Sequence, residues 1–122
     1  MKQFIDVEQL KSVSDEIKIK LFRLYYEDTK DCEIKVTDSH LVCDRTWRTT
    51  YRNLAEGITI GKMMEIIMPY YPTICFTEKW VSLLIYSNKG KNYNNIEEMF
   101  DSVELCNALW EAVKYILDND NS

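Results

Sequence analysis

Residues 101–117 constrain the fold of this 122-residue chain more than any other segment. Apolar residues recur along it at steps of three and four, which place them on one face of an α-helix. These residues are Cys106, Leu109, Trp110, Val113, Ile116 and Leu117. Asp101 and Glu104 have the spacing of a capping box, so we expect the helix to begin at Asp101. Such a face has to be buried, either in the core of its own domain or in the groove of a partner protein.

The rest of the sequence alternates between helical and strand patterns. Asp6 and either Ser12 or Ser14 have the capping chemistry of two N-terminal helices, Thr59 that of a later one, and residues 95–99 are interpreted as a helical turn. Apolar and polar residues alternate around turn residues in 32–44 and 73–87, which predicts two hairpins. We expect a single α+β domain over residues 1–118, with helices packed on a small, mostly antiparallel sheet of about four strands, and a polar tail at 119–122. A parallel βαβ arrangement is the alternative.

Composition narrows the class of protein. The net charge of −5 argues against a general coat for nucleic acid, because phosphate binding needs a basic face. The N-terminal residues lack the pattern of a signal peptide, and no apolar run is long enough to span a membrane, so we expect a cytoplasmic protein. The four cysteines form no C-x-x-C pair and are expected to be free thiols. With one histidine in the chain, we expect no metal site and no cofactor.

The densest group of cationic and aromatic residues lies in 45–52, and it is the candidate site. Its members are Arg45, Trp47, Arg48, Tyr51 and Arg52, with Lys89 and Lys91 as a second group. Such residues can bind phosphate and stack on a base. The alternative is structural, with the aromatic rings in the core and the arginines paired to nearby acids. No nucleophile or acid is arranged around the single histidine in the sequence, so we expect no enzymatic activity.

Two segments resemble a known family: residues 59–67 (TIGKMMEII) and 104–117 (ELCNALWEAVKYIL). They are similar to helices written IG-[KQ]-M-[IM]-E and ELC-[DN]-ALWEAVK in small uncharacterised proteins of phages and prophages of low-GC Gram-positive bacteria. The resemblance implies a phage origin, action in the host cytoplasm and no particular reaction. It also implies that Gly61 allows close helix packing. Asn107 departs from the acid that is more usual in the family.

Size, acidic balance and this resemblance lead to a hypothesis of function. The chain is interpreted as a non-enzymatic phage or prophage accessory protein that binds and inhibits a host factor, such as a CRISPR defence system. One alternative is a ligand-binding module or a sponge for a nucleotide signal, built on residues 45–52. Another is a structural or assembly component of the phage. A host protein is the expected partner, while a nucleotide, a nucleic acid and a homodimer remain open.

Overall fold

A computed structural model of the chain describes residues 2–26, 32–43, 47–70, 72–86 and 96–119. Within these residues the helices are α1 (Val7–Lys11), α2 (Asp15–Tyr25), α3 (Tyr51–Gly57), α4 (Ile60–Ile67) and α5 (Leu105–Asn119). The strands are β1 (Ile34–Val36), β2 (His40–Cys43), β3 (Trp47–Thr50), β4 (Thr73–Phe76), β5 (Val81–Tyr86) and β6 (Ile96–Ser102). The predicted α+β class is confirmed.

The strands form two three-stranded antiparallel sheets, in the orders β1-β2-β3 and β4-β5-β6. The described strands number six, where about four were expected, and they form two small sheets instead of one. Every pairing among the described strands is antiparallel, so these strands contain no parallel βαβ unit. The chain divides into two compact units, one of Phe4–Ile58 and one of Met1–Gln3 with Thr59–Ser122. That residues 1–118 make a single domain stays a prediction.

In the first unit, α1 packs on α3, and α2 packs on α3 and β1. The predicted caps are present: Asp6 and Gln9 form a reciprocal capping box at α1, and Ser14 accepts a hydrogen bond from the Ile17 amide at α2. Each cap satisfies an amide that the first turn of a helix leaves unpaired. The apolar core of this unit includes Leu10, Leu21, Phe22, Leu41 and Leu54, all fully buried.

Lys18 departs from the expected pattern of α2. The helical period predicts that it faces solvent, yet the residue is only 7% exposed. Its Nζ lies 3.6 Å from a carboxylate oxygen of Asp15 and 5.5 Å from the centre of the Tyr51 ring. A lysine can cover apolar surface with its aliphatic stem while the ammonium keeps a charged or aromatic partner. Helical periodicity alone does not predict the burial of Lys18.

In the second unit, α4 packs on α5, and α5 packs on β5 and β6. The predicted apolar face of α5 is confirmed: Cys106, Leu109, Trp110, Val113, Ile116 and Leu117 are all buried. Thr59 caps α4 as predicted, by accepting a hydrogen bond from the Lys62 amide. Gly61, in contrast, is exposed, and the nearest atom to a Cβ built there is Thr59 Oγ1 at 3.9 Å. The expected close packing at Gly61 is therefore wrong.

The start of α5 was also wrongly predicted. Asp101 lies in β6, where it pairs with Ser82, and the helix begins at Leu105. The helical turn expected at 95–99 falls in the same strand as far as it is described, from Ile96 onward. Strand pairing with β5 thus overrides the local capping signal, because β-structure depends on cross-strand neighbours. Residues 87–95 and residues 120–122 of the predicted polar tail lie outside the described residues.

The first hairpin of each sheet turns in the same way. The Thr37 amide and hydroxyl both donate to the His40 carbonyl oxygen, and Thr37 Oγ1 accepts from the amides of Ser39 and His40. Thr77 makes the same bonds with Lys79 and Trp80. A threonine side chain thus satisfies the backbone of each turn, which is the local chemistry that favours this residue there.

Candidate functional site

The predicted cluster of cations and aromatics is divided by the fold. Among its described members, Tyr51 is buried at the start of α3, whereas Arg48 and Arg52 are exposed. The side chain of Trp47 and the whole of Arg45, Lys89 and Lys91 lie outside the described residues.

Tyr51 connects α3 to the turn between β1 and β2. Its amide donates to the Ser39 carbonyl oxygen at 3.1 Å, and its hydroxyl donates to the Thr37 carbonyl oxygen. Burial raises the pKa of the Tyr51 hydroxyl above its ordinary value of 10.0, and the nearby carboxylates of Asp15 and Asp38 raise it further. A buried ring with a bonded hydroxyl is not available to stack on a base. The role of Tyr51 in the described fold is structural.

The two described arginines differ in their surroundings. Arg48 pairs with Val42 across β3 and β2, on the face opposite the buried pair of Leu41 and Thr49. Arg52 lies on α3 with its Nε 3.3 Å from a carboxylate oxygen of Glu56. An exposed pair of this kind contributes little to stability and is easily exchanged for another anion.

A second surface was not predicted: an exposed apolar group at the turn between β4 and β5. Phe76, Trp80 and Val103 are 66%, 51% and 76% exposed. They line a groove of about 330 Å³ together with Glu78, Lys79 and Glu104. We call Phe76, Trp80, Val103 and this groove the apolar groove surface. Large apolar side chains gathered in one place on the outside of a folded chain mark a binding surface more often than scattered ones do.

Strand order explains why Phe76 is exposed. Phe76 pairs with Val81 and Ile74 with Leu83, so these four side chains share the face of the sheet on which α5 lies. Val81 and Leu83 in the central strand are buried beneath α5. Phe76 belongs to the edge strand β4, where the packing of the sheet leaves two-thirds of its surface in contact with solvent.

Glu104 adds a polar feature to the groove. Its Oε2 is inaccessible to solvent and has no hydrogen-bond partner among the described residues. A buried carboxylate oxygen without a partner is costly, because it has lost its hydration without gaining a bond. The groove therefore offers aromatic contact area beside a residue whose carboxylate is partly buried.

The sequence contained only a weak signal for this surface. Phe76 and Trp80 bracket a polar turn, where an apolar residue on each side is equally typical of a buried hairpin. Val103 was assigned to the first turn of the final helix, and that wrong assignment concealed its position in the loop before α5.

Three other properties of the described residues bear on function. No three His, Cys, Asp or Glu side chains within them lie close enough to hold a metal ion. None of the described helices is sufficiently long and apolar to cross a bilayer. All four cysteines are thiols, with Cys75 exposed, Cys32 half-buried, and Cys43 and Cys106 buried.

No protein-family model matches the chain, and neither curated protein sequences nor solved structures match it significantly.

Proposed function

We propose that this chain is a non-enzymatic protein-binding module, and that it acts as a phage or prophage accessory protein that binds and inhibits a host factor. The observation that carries the binding role is the apolar groove surface, on which Phe76, Trp80 and Val103 are each more than half exposed. Aromatic residues that fill or line a pocket supply most of the binding energy in protein interfaces, because each buries a large area at a small entropic cost.

The charge of the groove favours a particular kind of partner. Glu78, Lys79 and Glu104 line it, so acidic residues outnumber basic ones there, and the chain carries a net charge of −5. A complementary partner presents an apolar side chain beside a basic group. Proteins that bind nucleic acid carry such basic surfaces, so a defence effector that acts on nucleic acid is a fitting target.

The phage origin and the host cytoplasm as the place of action rest on the family resemblance of residues 59–67 and 104–117. The competing proposal, a nucleotide-binding module at residues 45–52, has less support. Tyr51 is buried and its hydroxyl is bonded within the fold, so its ring is not available to stack on a base.

Affinity capture with a matched pair of variants tests the proposal. Trp80→Ala removes the ring from the apolar groove surface, while Met68→Ala removes a side chain of similar exposure (57%) that does not line the groove. A partner captured from a Gram-positive lysate is identified by mass spectrometry, purified and titrated calorimetrically with each variant. We expect Trp80→Ala to weaken binding at least tenfold, as for an aromatic hot spot, and Met68→Ala to leave the affinity unchanged.

The partner's own activity is then assayed with and without the chain. Inhibition by the wild type and loss of inhibition by Trp80→Ala support the proposal. Failure to capture any partner over a range of salt concentrations, or equal weakening by both variants, contradicts it.

A further inference from the structure

We propose that a second copy of this chain pairs with β4, antiparallel about a two-fold axis at Cys75, and that this pairing joins two β4-β5-β6 sheets into one six-stranded sheet. The proposal does not depend on the proposed inhibition of a host factor. It concerns the outer edge of β4, and Phe76 is the one residue that it shares with the apolar groove surface.

The two edges of this sheet differ in charge. Strand β4 (Thr73–Phe76, TICF) has no charged residue, and its outer edge pairs with no described strand. Strand β6 at the other edge includes Glu98 and Asp101. Charged residues on an edge strand prevent pairing with other chains, and an uncharged edge lacks that protection. Two copies can therefore meet at β4 without bringing like charges together.

The turn between β4 and β5 fixes which backbone groups of β4 point outward. The Thr77 amide donates to the Trp80 carbonyl oxygen at 2.9 Å, so these two residues form a hydrogen-bonded pair. Bonded and non-bonded pairs alternate along an antiparallel ladder, and the register of β4 with β5 runs without a bulge. The N–H and C=O groups of Cys75 and Thr73 therefore face β5. Those of Ile74 and Phe76 face away from it.

These outward groups define one symmetric register. When Ile74 lies opposite Phe76 of the second copy, the N–H and C=O groups of both residues all find partners across the axis. The same register sets Ile74 beside the exposed ring of Phe76 from the other copy, on the face of the sheet that α5 covers in each monomer. The backbone groups and the apolar side chains thus favour the same alignment. In it, Ile74 of each copy contacts Phe76 of the other, as in any isologous contact.

Cys75 lies on the two-fold axis in this register. It is exposed and shares a face with Ser82, opposite the face covered by α5. Cys75 and its counterpart would form a non-hydrogen-bonded pair, in which the Cα atoms lie about 4.5 Å apart. That separation falls within the range a disulfide spans, roughly 4.4–6.8 Å. Formation of a disulfide between the two Cys75 thiols is therefore a test of this register.

The contact is small. A four-residue strand with its apolar flanks lies at the low end of specific interfaces, below roughly 1,200 Å² in total. We therefore expect a dimer that forms in the micromolar range and is seen only at sufficient concentration.

Two substitutions at one exposed position test the pairing. Sedimentation equilibrium of the full chain over increasing concentration should give a monomer–dimer equilibrium for the wild type and for Cys75→Ser. Cys75→Glu sets two like charges together at the axis and should weaken the dimer at least tenfold, with an unchanged melting temperature because the side chain is exposed in the monomer.

A third substitution tests the outward backbone groups. Ile74→Pro removes an outward amide and should also weaken the dimer. The monomer should still fold, since proline is tolerated where the N–H faces solvent.

Oxidation with diamide tests the register. Two Cys75 thiols give up two protons and two electrons to diamide and form one disulfide, so the wild type and Cys32→Ser should both give a covalent dimer on a non-reducing gel. Cys75→Ser should give none. A chain that stays monomeric at every concentration overturns the proposal, as does a dimer that Cys75→Glu leaves intact or that cross-links equally well without Cys75. The purified chain alone is used, so these outcomes are independent of any host partner.

Discussion

The Tyr51 hydroxyl donates a hydrogen bond to the Thr37 carbonyl oxygen, and this bond ties the start of α3 to the first hairpin turn. The two residues are 14 positions apart in the sequence, and the Tyr51 amide makes a second bond to the same turn at Ser39. Tyr51 thus connects the start of α3 to the turn through both its side-chain hydroxyl and its backbone amide.

Replacing Tyr51 with Phe keeps the ring and removes this donor. Because the Thr37 carbonyl oxygen loses a partner at a part-buried site, we expect the free energy of unfolding to fall by about 1–2 kcal/mol. Urea denaturation measures the loss. Thr50→Ser, which keeps the hydroxyl that caps α3, is the control and should change stability by less. A Tyr51→Phe variant as stable as the wild type would contradict the structural role.

The raised pKa of Tyr51 also predicts a dependence on alkaline pH. Its hydroxyl holds its proton more strongly in the folded chain than in the unfolded one, mainly because it is buried. The associated stability is fully present below the unfolded value of about 10 and is lost as pH rises through the folded value. We expect the wild type to lose more stability than Tyr51→Phe between about pH 9 and pH 11, a range that brackets the ordinary pKa of tyrosine. Parallel urea curves at both pH values would argue against it.

The glycines at 57 and 61 should respond oppositely to alanine. A Cβ at Gly57 would lie 2.6 Å from ring atoms of Tyr25, so this ring has to move, whereas a Cβ at Gly61 meets nothing closer than 3.9 Å. We expect Gly57→Ala to destabilise by about 1 kcal/mol through overpacking. Gly61→Ala should stabilise by about 0.4–1 kcal/mol through reduced freedom of the unfolded chain. Thermal melts of the two variants compare them directly, and equal shifts would contradict the difference in packing.

The two threonine turns should be equally sensitive. In Thr37→Ala and in Thr77→Ala, two amides lose the side-chain oxygen that accepts from them. We expect each substitution to lower the free energy of unfolding by about 1 kcal/mol, and serine to restore most of it, because the hydroxyl is what the turn uses. A serine variant as unstable as the alanine variant would assign the effect to the lost methyl group instead.

Local patterns predicted much of this fold. The capping box of α1, the cap of α4, both hairpins and the buried face of α5 depend on residues within a few positions of each other, and sequence displays such relations directly. Strand β6 was missed because its acidic residues are poor strand formers, and only pairing with β5 makes it a strand.

The candidate site was harder to predict. The sequence places Tyr51 among arginines, but only the three-dimensional fold brings the Thr37 carbonyl oxygen to its hydroxyl. The apolar groove surface depends on β4 being an edge strand and on Val103 lying before α5 rather than within it. Neither property is a feature of local spacing, so neither could be read from the sequence.

Each described strand pairs only with strands adjacent to it in the chain, and each sheet contains a turn organised by a single threonine. Assembly of either sheet can therefore begin at its own turn and extend outward, closing only short loops and requiring no distant crossover. Contacts that are close in sequence form quickly, so the two sheets should be among the earlier structures to appear during refolding. We therefore expect the order of the strands, with a threonine turn in each sheet, to favour rapid folding as well as stability.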